Sequence, residues 1–425
     1  MLKNRNQIWS IAIIGGGASG LMAAVTAAKT GENVLLLEKK DTLGKKLLAT
    51  GNGRCNYTNA FMESSAFHGD RGLFERVYRQ FDKNDTVSFF QEIGIYPSCK
   101  NGYYYPRSEQ AASMLSAFEM ELLRLEVYIK TGISIQSITK KDGLFAIDCG
   151  GDTFYASRII FATGLLAMPA LGSDGSIFPY IKALGHHFTP IVPALCGFMT
   201  DQTLAAAFCR MAGARTDAVV SIIVETECKA SERGELQLTD YGISGIPVFQ
   251  VSRCASLGLQ KKGRVEAVIN FMPDWSLEAL KEELSHRFMR PSRYRRNFLQ
   301  ILNGLVHDRV AAGICISLGL VPEQKPKPEN FSGLIEQIAS ALLHFTVPLT
   351  APTGFDHAQV CAGGICTNEI SCDSLESKLV PGVYFCGELL DVDGICGGYN
   401  LQWAWSSGYT AAMHACESLE KGRQI

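Results

Sequence analysis

The chain has 425 residues, a length that predicts two or three domains. Hydrophobic residues make up 47% and charged residues 19%, which is typical of globular proteins and excludes a disordered chain. The 40 basic and 42 acidic side chains leave a formal net charge of -2, so the composition predicts no nucleic acid partner and no anionic membrane partner.

The cysteines and the N-terminal segment predict where the protein works. The 14 cysteines are scattered along the chain instead of crowding a small framework, which favours reduced thiols and a cytoplasmic location. The N-terminal apolar run resembles a signal peptide, but four glycines at positions 15, 16, 17 and 20 interrupt it. No other segment has an apolar run long enough to cross a bilayer. We therefore expect no membrane segment.

The first forty residues predict a strand, a helix and a second strand. A short apolar run at 11–14 is followed by an Ala-rich stretch at 21–29 and by a second apolar run at 34–37. Glycines in the pattern G-x-G-x-x-G separate the first strand from the helix. This arrangement is a βαβ unit of the kind that binds dinucleotides, although a glycine-rich turn of another α/β protein is the alternative.

Each glycine of the pattern has a physical task. Gly15 permits a tight turn, Gly17 lets the backbone approach a pyrophosphate, and Gly20 lets the helix pack against the strand. The N-terminus of the helix offers N–H groups and partial positive charge to the phosphates. Glu38 ends the second strand near the spacing of about 20 residues expected for a carboxylate that binds ribose hydroxyls. An acid at position 38 favours FAD or NAD over NADP.

The stretch "KKDTLGKKLLATGNGRCN" favours FAD over NAD at this site. Lys39, Lys45 and Lys46 could offset phosphate charge, and the glycines at 51 and 53 would let the backbone lie against a flat ring. Arg54 would be a long cation held near that ring. The alternative for the lysines is a solvated basic face.

Two later segments predict further contacts with an extended FAD. The stretch "RIIFATG" predicts a strand that returns to the adenine side of the sheet and ends at residues 162–164. Near the C-terminus, a buried strand at 383–386 is followed by Gly387 and Glu388, and a helix is predicted from Gln402 with Asn400 as its N-cap. Glu388 could bind ribitol hydroxyls, and the backbone at 398–402 could stabilise negative charge on reduced flavin.

The residues of these segments form the predicted cofactor site. They are Gly15, Gly17, Ala18, Ser19, Gly20, Glu38, Lys39, Lys45, Lys46, Gly51, Asn52, Gly53, Arg54, Cys55, Ala162, Thr163, Gly164, Gly387, Glu388, Asp393, Gly398, Tyr399, Asn400 and Leu401.

Over nearly its whole length the chain resembles a family of bacterial flavoproteins, the BaiN-type or aminoacetone oxidase family of FAD-binding enzymes. The segments "GKKLLATGNGRCNYTN" and "LDVDGICGGYNLQWAWSSG" carry most of the resemblance. It implies an α/β fold in which a Rossmann-like, two-dinucleotide-type FAD domain is interrupted by a β-rich, barrel-like domain and a small helical domain. The chain departs from the family at Leu165, where relatives often have Gly, and at Asp240, where they often have His.

The domain boundaries follow from composition and periodicity. We expect a discontinuous FAD domain at 1–190 and 350–425, cut at two Pro-containing stretches. Residues 191–274 show the alternation of a β-rich domain, and residues 275–349 are rich in helix formers.

The candidate catalytic residues are Arg54, Tyr104 and Tyr399. Flavin performs the redox step and the protein supplies position and polarity, so a tyrosine could stack on the ring or donate a proton to a conjugated carbonyl compound. Packing in the core is the alternative for the tyrosines. His186 and His187 have no partner acid nearby in the sequence, so we interpret them as surface residues.

The C-terminal cysteines raise two further hypotheses. They contain no Cys-x-x-Cys pair, so we predict no metal site. Cys361 and Cys366 have the spacing of a flavin-linked redox disulfide, but such a pair is expected after the first βαβ unit and not near the C-terminus.

Three functions remain open from the sequence. The first is a reductase of an activated carbon–carbon double bond in a small apolar substrate, such as the 3-oxo steroid or bile-acid intermediates of some relatives, with noncovalent FAD and NAD(P)H as a transient electron donor. The second, also implied by the resemblance, is an oxidase of a small amine that releases hydrogen peroxide. The third is a flavin-bearing binding or RNA-modification partner. The oligomeric state is left open.

Overall fold

The computed structural model describes residues 7–289 and 296–423, and the chain forms two compact units. The first unit comprises residues 1–191 and 360–425, and the second comprises residues 192–359.

The strands of the described residues are named in chain order: β1 Ile8–Ile14, β2 Val34–Leu37, β3 Thr58–Asn59, β4 Phe67–Gly69, β5 Pro97–Lys100, β6 Tyr103–Pro106, β7 Tyr128–Lys130, β8 Ser137–Lys141, β9 Leu144–Asp148, β10 Thr153–Phe161, β11 Val192–Ala194, β12 Phe198–Thr200, β13 Arg215–Val224, β14 Glu227–Leu238, β15 Gly242–Gly245, β16 Val265–Asn270, β17 Phe345–Pro352, β18 Val360–Ala362, β19 Val383–Phe385 and β20 Val392–Gly394.

The α-helices of the same residues are α1 Ala18–Lys29, α2 Lys45–Ala49, α3 Arg71–Tyr78, α4 Lys83–Glu92, α5 Ala111–Arg124, α6 Phe178–Ala183, α7 Ala205–Met211, α8 Ile246–Gln260, α9 Leu277–Met289, α10 Phe298–Leu302, α11 Asp308–Ser317, α12 Phe331–Leu343 and α13 Tyr399–Arg423.

The first unit is built on a sheet with the strand order β7-β2-β1-β10-β9-β8, and β19 pairs with the last residues of β10. Strands β7, β2, β1, β10 and β19 are parallel, whereas β8 and β9 form an antiparallel hairpin. Ile11, Ala12 and Ile13 of β1 are fully buried, as expected for a strand covered on both faces. Because the strands are parallel, the segments that follow β1, β2, β10 and β19 meet at one edge of the sheet.

Helices α1 and α13 pack closely against each other beside this sheet. A Cβ atom at Gly408 of α13 would lie 2.4 Å from the carbonyl oxygen of Ser19, so only glycine permits this approach. The contact brings the long C-terminal helix next to the first βαβ unit. The unit also contains a small sheet, β3-β6-β5, and the antiparallel pair β4 and β20.

The second unit contains a closed antiparallel barrel with the order β12-β15-β14-β13-β16-β17. Ala218, Val220 and Ile222 of β13 are fully buried and alternate with more exposed neighbours, as the period of a strand requires. Helix α8 packs against β13 and β14, and α9 packs against α12. The expected architecture, a Rossmann-like sheet with a separate β-barrel and helices, is therefore present.

Two features of the second unit differ from the sequence analysis. Helix α8 lies inside the segment 191–274 that alternation alone marked as β-rich. Strand β17 occupies the Pro-containing stretch that was expected to be a boundary, and Pro348 and Pro352 pair there with Glu266 and Phe198. Proline has no backbone N–H to donate and occurs in strands mainly at edges and bulges. The pairing of β17 with β12 is irregular in this way, because its register shifts between Met199 and Thr200. No helix of the described ranges is long and apolar enough to span a membrane.

Candidate functional site

In the glycine turn after β1, two glycines are required by close packing, and a third faces open space. A Cβ atom at Gly15 would lie 2.6 Å from the carbonyl oxygen of Ala162, and one at Gly20 would lie 1.9 Å from that of Gly15. Within residues 7–289 and 296–423, no atom lies within 4 Å of a Cβ built at Gly17. Gly17 is the N-cap of α1 and provides no side-chain acceptor for its first turn, which begins with Ala18. The turn thus leaves helical N–H groups available to an anion.

Glu38 lies directly at this glycine turn. Its Oε2 atom accepts a hydrogen bond of 2.6 Å from the backbone N–H of Gly16, and its Oε1 atom accepts one of 2.7 Å from the backbone N–H of Lys40. These bonds orient a half-buried carboxylate at the end of β2. Each oxygen keeps acceptor capacity for the hydroxyl groups of a ribose.

The segments after β10 and β19 reach the same place. Gly164 has a φ of +68°, and a Cβ atom there would lie 2.7 Å from Ser173 Oγ and 3.3 Å from Glu388 Oε2. A Cβ atom at Gly387 would lie 2.5 Å from the hydroxyl of Ser19 in α1. The fold therefore brings residues 15–20, 38, 162–164 and 387–388 together at one edge, as parallel strands require.

The three lysines of the predicted site have different partners. Lys39 donates to Asp174, and Lys45 pairs with Asp41 at 2.6 Å on the surface. Lys46 lies deeper and donates to Glu388 Oε2 at 2.8 Å, with 24% of its side chain and 18% of that of Glu388 exposed. Of these lysines, only Lys46 is bonded to another residue of the predicted cofactor site.

Glu388 is held from two sides. Besides the ammonium group of Lys46, it accepts a hydrogen bond of 2.7 Å through Oε1 from the backbone N–H of Cys361. Burial and the neighbouring carboxylate of Glu388 raise the pKa of the Cys361 thiol, so this cysteine is not a ready nucleophile. Cys361 and Cys366 are both free thiols.

The loop after α2 has an unusual backbone. Gly51, Asn52, Gly53 and Cys55 all have a positive φ, between +54° and +80°. Residues 51–54 are exposed, whereas Cys55 is fully buried and burial raises the pKa of its thiol to about 12. The guanidinium of Arg54 lies 5.1 Å from the centre of the Tyr105 ring. This backbone presents Arg54 at the surface and places the Cys55 side chain in the core.

The candidate tyrosines lie in different surroundings. Tyr104 of β6 pairs with Thr58 and Cys99 in the small sheet, and burial raises the pKa of its phenol. Tyr399 is 7% exposed and donates a hydrogen bond of 3.1 Å to the carbonyl oxygen of Phe61, and burial also raises its pKa. Both phenols therefore carry their protons at neutral pH, and that of Tyr399 is already bonded to a carbonyl.

The start of α13 corrects the sequence prediction. The helix begins at Tyr399, so Asn400 lies inside its first turn and is not the N-cap. The Asn400 side chain instead bonds the backbone of Gly394 twice, accepting at 2.8 Å and donating at 2.7 Å. Leu401, also in this turn, is half-buried, and Asp393 of β20 is buried. The loop before the helix is thus held by the helix that follows it.

Gly398 places the first turn of α13 against β3. A Cβ atom at Gly398 would lie 2.6 Å from the carbonyl oxygen of Thr58 and 2.9 Å from Asn56 Oδ1. That Oδ1 atom is buried and has no hydrogen-bond partner among the residues that the structure describes. An unpaired buried oxygen is costly, so a donor from a bound molecule at this turn would be stabilising.

The sequence analysis did not predict several side chains of α13 that bond the segments of the site to one another. The indole N–H groups of Trp403 and Trp405 donate, both at 2.9 Å, to the carbonyl oxygens of Gly387 and Tyr57. The amide of Gln402 is fully buried beside them. The polar residues within the buried run "LQWAWSS" were the available signal, because buried polar side chains require partners.

The prediction that the histidines are surface residues is wrong for His186. Its Nδ1 atom lies 3.1 Å from Glu369 Oε2, its Nε2 atom lies 2.8 Å from Ser377 Oγ, and the residue is 2% exposed. His187 is exposed and bonds the other oxygen of Glu369 at 2.7 Å. The partner acid lies far along the chain, so the local sequence could not reveal it.

The burial of His186 beside Glu369 and Ser377 predicts a loss of stability in acid. Burial lowers the pKa of His186 below its ordinary value of 6.5, and Glu369 offsets this only in part. The unfolded chain therefore takes up a proton more readily than the folded chain, and stability present above about pH 6.5 falls as the pH drops below that value. We expect the unfolding free energy of His186→Gln to change less between pH 7.5 and 5.5 than that of the wild type. His187→Gln is the control for the exposed neighbour, and an unchanged slope in His186→Gln would contradict the prediction.

The site has the features that FAD requires. The open N-terminus of α1 suits a pyrophosphate, Glu38 suits a ribose, and the unpaired Asn56 oxygen at the N-terminus of α13 suits a polar ring. In the described part of the chain, no group of three or more His, Cys, Asp or Glu side chains could hold a metal ion. Fold and site together define a FAD-binding flavoprotein of the Rossmann class.

Comparison with known proteins identifies the family. Residues 9–414 match the family model described as the HI0933-like protein Rossmann domain. The chain is 41% identical to the 3-dehydro-bile acid delta(4,6)-reductase of Clostridium scindens over 411 residues, covering 96% of this chain and 99% of that enzyme. It is 30% identical to the ribosomal RNA dihydrouridine synthase of Escherichia coli over 404 residues, covering 94% and 96%. The chain belongs to the HI0933-like family and is a flavin-dependent oxidoreductase with FAD as its cofactor.

A solved structure supports the fold. The 3-ketosteroid delta1-dehydrogenase of Sterolibacterium denitrificans aligns with a TM-score of 0.51 at 12% identity, covering 97% of this chain and all of that enzyme. At this identity the similarity concerns the architecture. The family resemblance expected from the sequence motifs is confirmed by the family model and by the bile acid reductase.

Proposed function

We propose that the protein is a cytoplasmic, NAD(P)H-dependent reductase of an activated carbon–carbon double bond in an apolar substrate such as a 3-oxo steroid or bile-acid intermediate. The observation that carries this proposal is the 41% identity to the bile acid reductase, which extends over 96% of the chain. A match of that extent includes the unit at 192–359, and not only the dinucleotide-binding fold that many flavoproteins share.

The residues of the site would divide the work of holding the cofactor. FAD supplies the hydride chemistry when bound. The first turn of α1 would bind its pyrophosphate, Glu38 its ribose, and Glu388 its ribitol hydroxyls. The N–H groups at the start of α13 would favour negative charge on the ring.

Arg54 and the tyrosines would act on the substrate. The exposed guanidinium of Arg54 could polarise a conjugated carbonyl, because it is bonded only weakly, at 3.4 Å, to the carbonyl oxygen of Gly51. Tyr104 keeps its proton at neutral pH and could donate it to the reduced carbon, and Tyr399 is the second candidate. Overall, NAD(P)H would give up a hydride and become NAD(P)+, the double bond would gain that hydride by way of the flavin together with a proton from the tyrosine, and the tyrosine would regain its proton from solvent.

A second candidate function is reduction of a uridine in RNA. The relatives named as ribosomal RNA dihydrouridine synthases favour it, and dihydrouridine is uridine with a carbonyl-conjugated double bond reduced, so the reaction class is the same. The net charge of -2 supports the small substrate, because RNA binding depends on a surplus of basic side chains.

An anaerobic absorbance titration tests the proposal. The purified yellow protein is mixed with NADH or NADPH, and the reduced protein is then mixed with a 3-oxo-4-ene steroid or bile acid. We expect one nicotinamide to bleach the flavin and the steroid to restore its colour while gaining two hydrogens, seen by mass spectrometry. Bleaching by neither nucleotide would refute the proposal. Peroxide release with aminoacetone would support the amine oxidase instead, and reoxidation only by unmodified ribosomal RNA would support the second candidate.

A further inference from the structure

The side chain of Gln402 is the centre of a buried hydrogen-bond network. It lies in the first turn of α13 and is fully buried. Its Oε1 atom accepts a bond of 2.6 Å from the hydroxyl of Thr58 in β3. Its Nε2 atom donates to Thr86 Oγ1 of α4 at 2.8 Å and to Ser406 Oγ of α13 at 2.9 Å. One amide thus joins two helices and a strand.

The partners of Gln402 permit only one orientation of this amide. The hydroxyl of Thr86 donates to the carbonyl oxygen of Asp82 at 2.9 Å, and the hydroxyl of Ser406 donates to that of Phe81 at 2.7 Å. Both oxygens can therefore only accept from residue 402, so two donors are required there. A carboxylate at this position would have no hydrogen to donate, and a thioether could neither donate nor accept comparably.

The hydrogen bonds of Gln402 hold the first turn of α13, which contains the residues predicted to contact the flavin ring. The backbone N–H of Gln402 donates at 3.0 Å to the carbonyl oxygen of Gly398, closing the first turn of α13. Thr58, which bonds the Gln402 amide, also has its carbonyl oxygen against Gly398. The side chain of Gln402 therefore fixes the position of residues 398–401 relative to β3 and to the unpaired oxygen of Asn56.

We propose that Gln402 is a positioning residue for the flavin. It acts through residues 398–401, keeping the N–H groups of this turn aimed at the ring system where negative charge develops on reduction. Preorganised N–H groups stabilise such charge far better than groups that must reorient, so loss of the amide should disfavour the reduced flavin. The inference rests on the proposed placement of the ring at α13.

The test is the midpoint potential of the bound flavin, measured by spectroscopic reductive titration of the FAD-loaded protein. We expect Gln402→Met to shift the potential to more negative values and to slow reduction of the flavin by NAD(P)H about tenfold, and Gln402→Glu to shift the potential further because it adds buried negative charge. Thr410→Val is the matched control. Thr410 is a buried residue of the same helix whose hydroxyl has no hydrogen-bond partner within the described ranges, so its loss should leave the potential unchanged.

The outcomes separate this inference from the proposed function. If the wild type cannot be loaded with FAD, the proposed function and the inference both fail. If it binds FAD but neither nicotinamide reduces it, the proposed function fails, whereas titration with a chemical reductant still tests the inference. If the wild type is reduced and Gln402→Met has the wild-type potential, only the inference is overturned. Should Gln402→Met not fold, Thr86→Val removes one acceptor of the network. A smaller shift in the same direction would then support the positioning role, and an unchanged potential would refute it.

Discussion

Gly20→Ala is expected to destabilise the first unit severely and to abolish retention of FAD. The added methyl group would lie 1.9 Å from the carbonyl oxygen of Gly15 and 3.2 Å from Cβ of Ala162. The first contact involves backbone, which cannot rotate away, so α1 must move from β1. Overpacking of this kind costs about 1–3 kcal/mol or more. Urea unfolding of the apoprotein and the FAD content after purification measure the two effects.

Gly17→Ala, three residues earlier at the N-cap of α1, is the matched control. Apart from its chain neighbours, its methyl group meets no described atom within 4 Å, so the apoprotein should lose only the cost of replacing an N-cap glycine by alanine, about 0.5–1 kcal/mol. FAD affinity should nevertheless fall, because the methyl group would occupy the path by which a pyrophosphate approaches α1. Wild-type FAD affinity in Gly17→Ala would show that the phosphates bind elsewhere.

Lys46→Met is expected to lower the free energy of unfolding substantially. It would leave Glu388, with 18% of its side chain exposed, without its ammonium partner, while the N–H of Cys361 still holds the carboxylate in place. Loss of one partner from a largely buried ion pair costs about 3–5 kcal/mol, and the partial exposure of this pair reduces the expected loss of unfolding free energy to about 1–3 kcal/mol.

A double-mutant cycle separates the pair from its surroundings. Lys46→Met combined with Glu388→Gln should cost less than the sum of the single variants, because the double variant leaves no uncompensated charge. Lys45→Met is the control, since Lys45 pairs with the exposed carboxylate of Asp41 and its loss should leave the unfolding free energy nearly unchanged. Additive single effects in the cycle would contradict a coupled pair.

The local features of the first βαβ unit could be predicted because each depends on residues close in the sequence. The strand at 34–37 is present with the expected bounds, and α1 begins three residues before the expected stretch. The apolar runs and glycines report local backbone geometry, which neighbours in the chain largely determine. Helix α8 was missed because alternation in the strands around it dominated the pattern of the whole segment.

The contacts that organise the site could not be predicted in the same way. Asn400 has a residue type that favours N-caps, yet it lies one residue inside the helix, because Gly397 and Gly398 with positive φ supply the turn. His186 has its acid at position 369, and the partners of Gln402 lie at positions 58 and 86 as well as 406. No periodicity of a single sequence encodes such pairs.

The sequence by itself determined the class of cofactor, the first βαβ unit and the segments that meet at the edge of the sheet. Short-range patterns of glycines, apolar residues and a terminal acid indicate all three. The tertiary structure decided which charges and amides meet: Lys46 with Glu388, and Gln402 with Thr58 and Thr86. The physical reason is that a largely buried ion pair or a buried amide is stable only when the whole fold supplies its partner and removes water, and that depends on residues hundreds of positions apart.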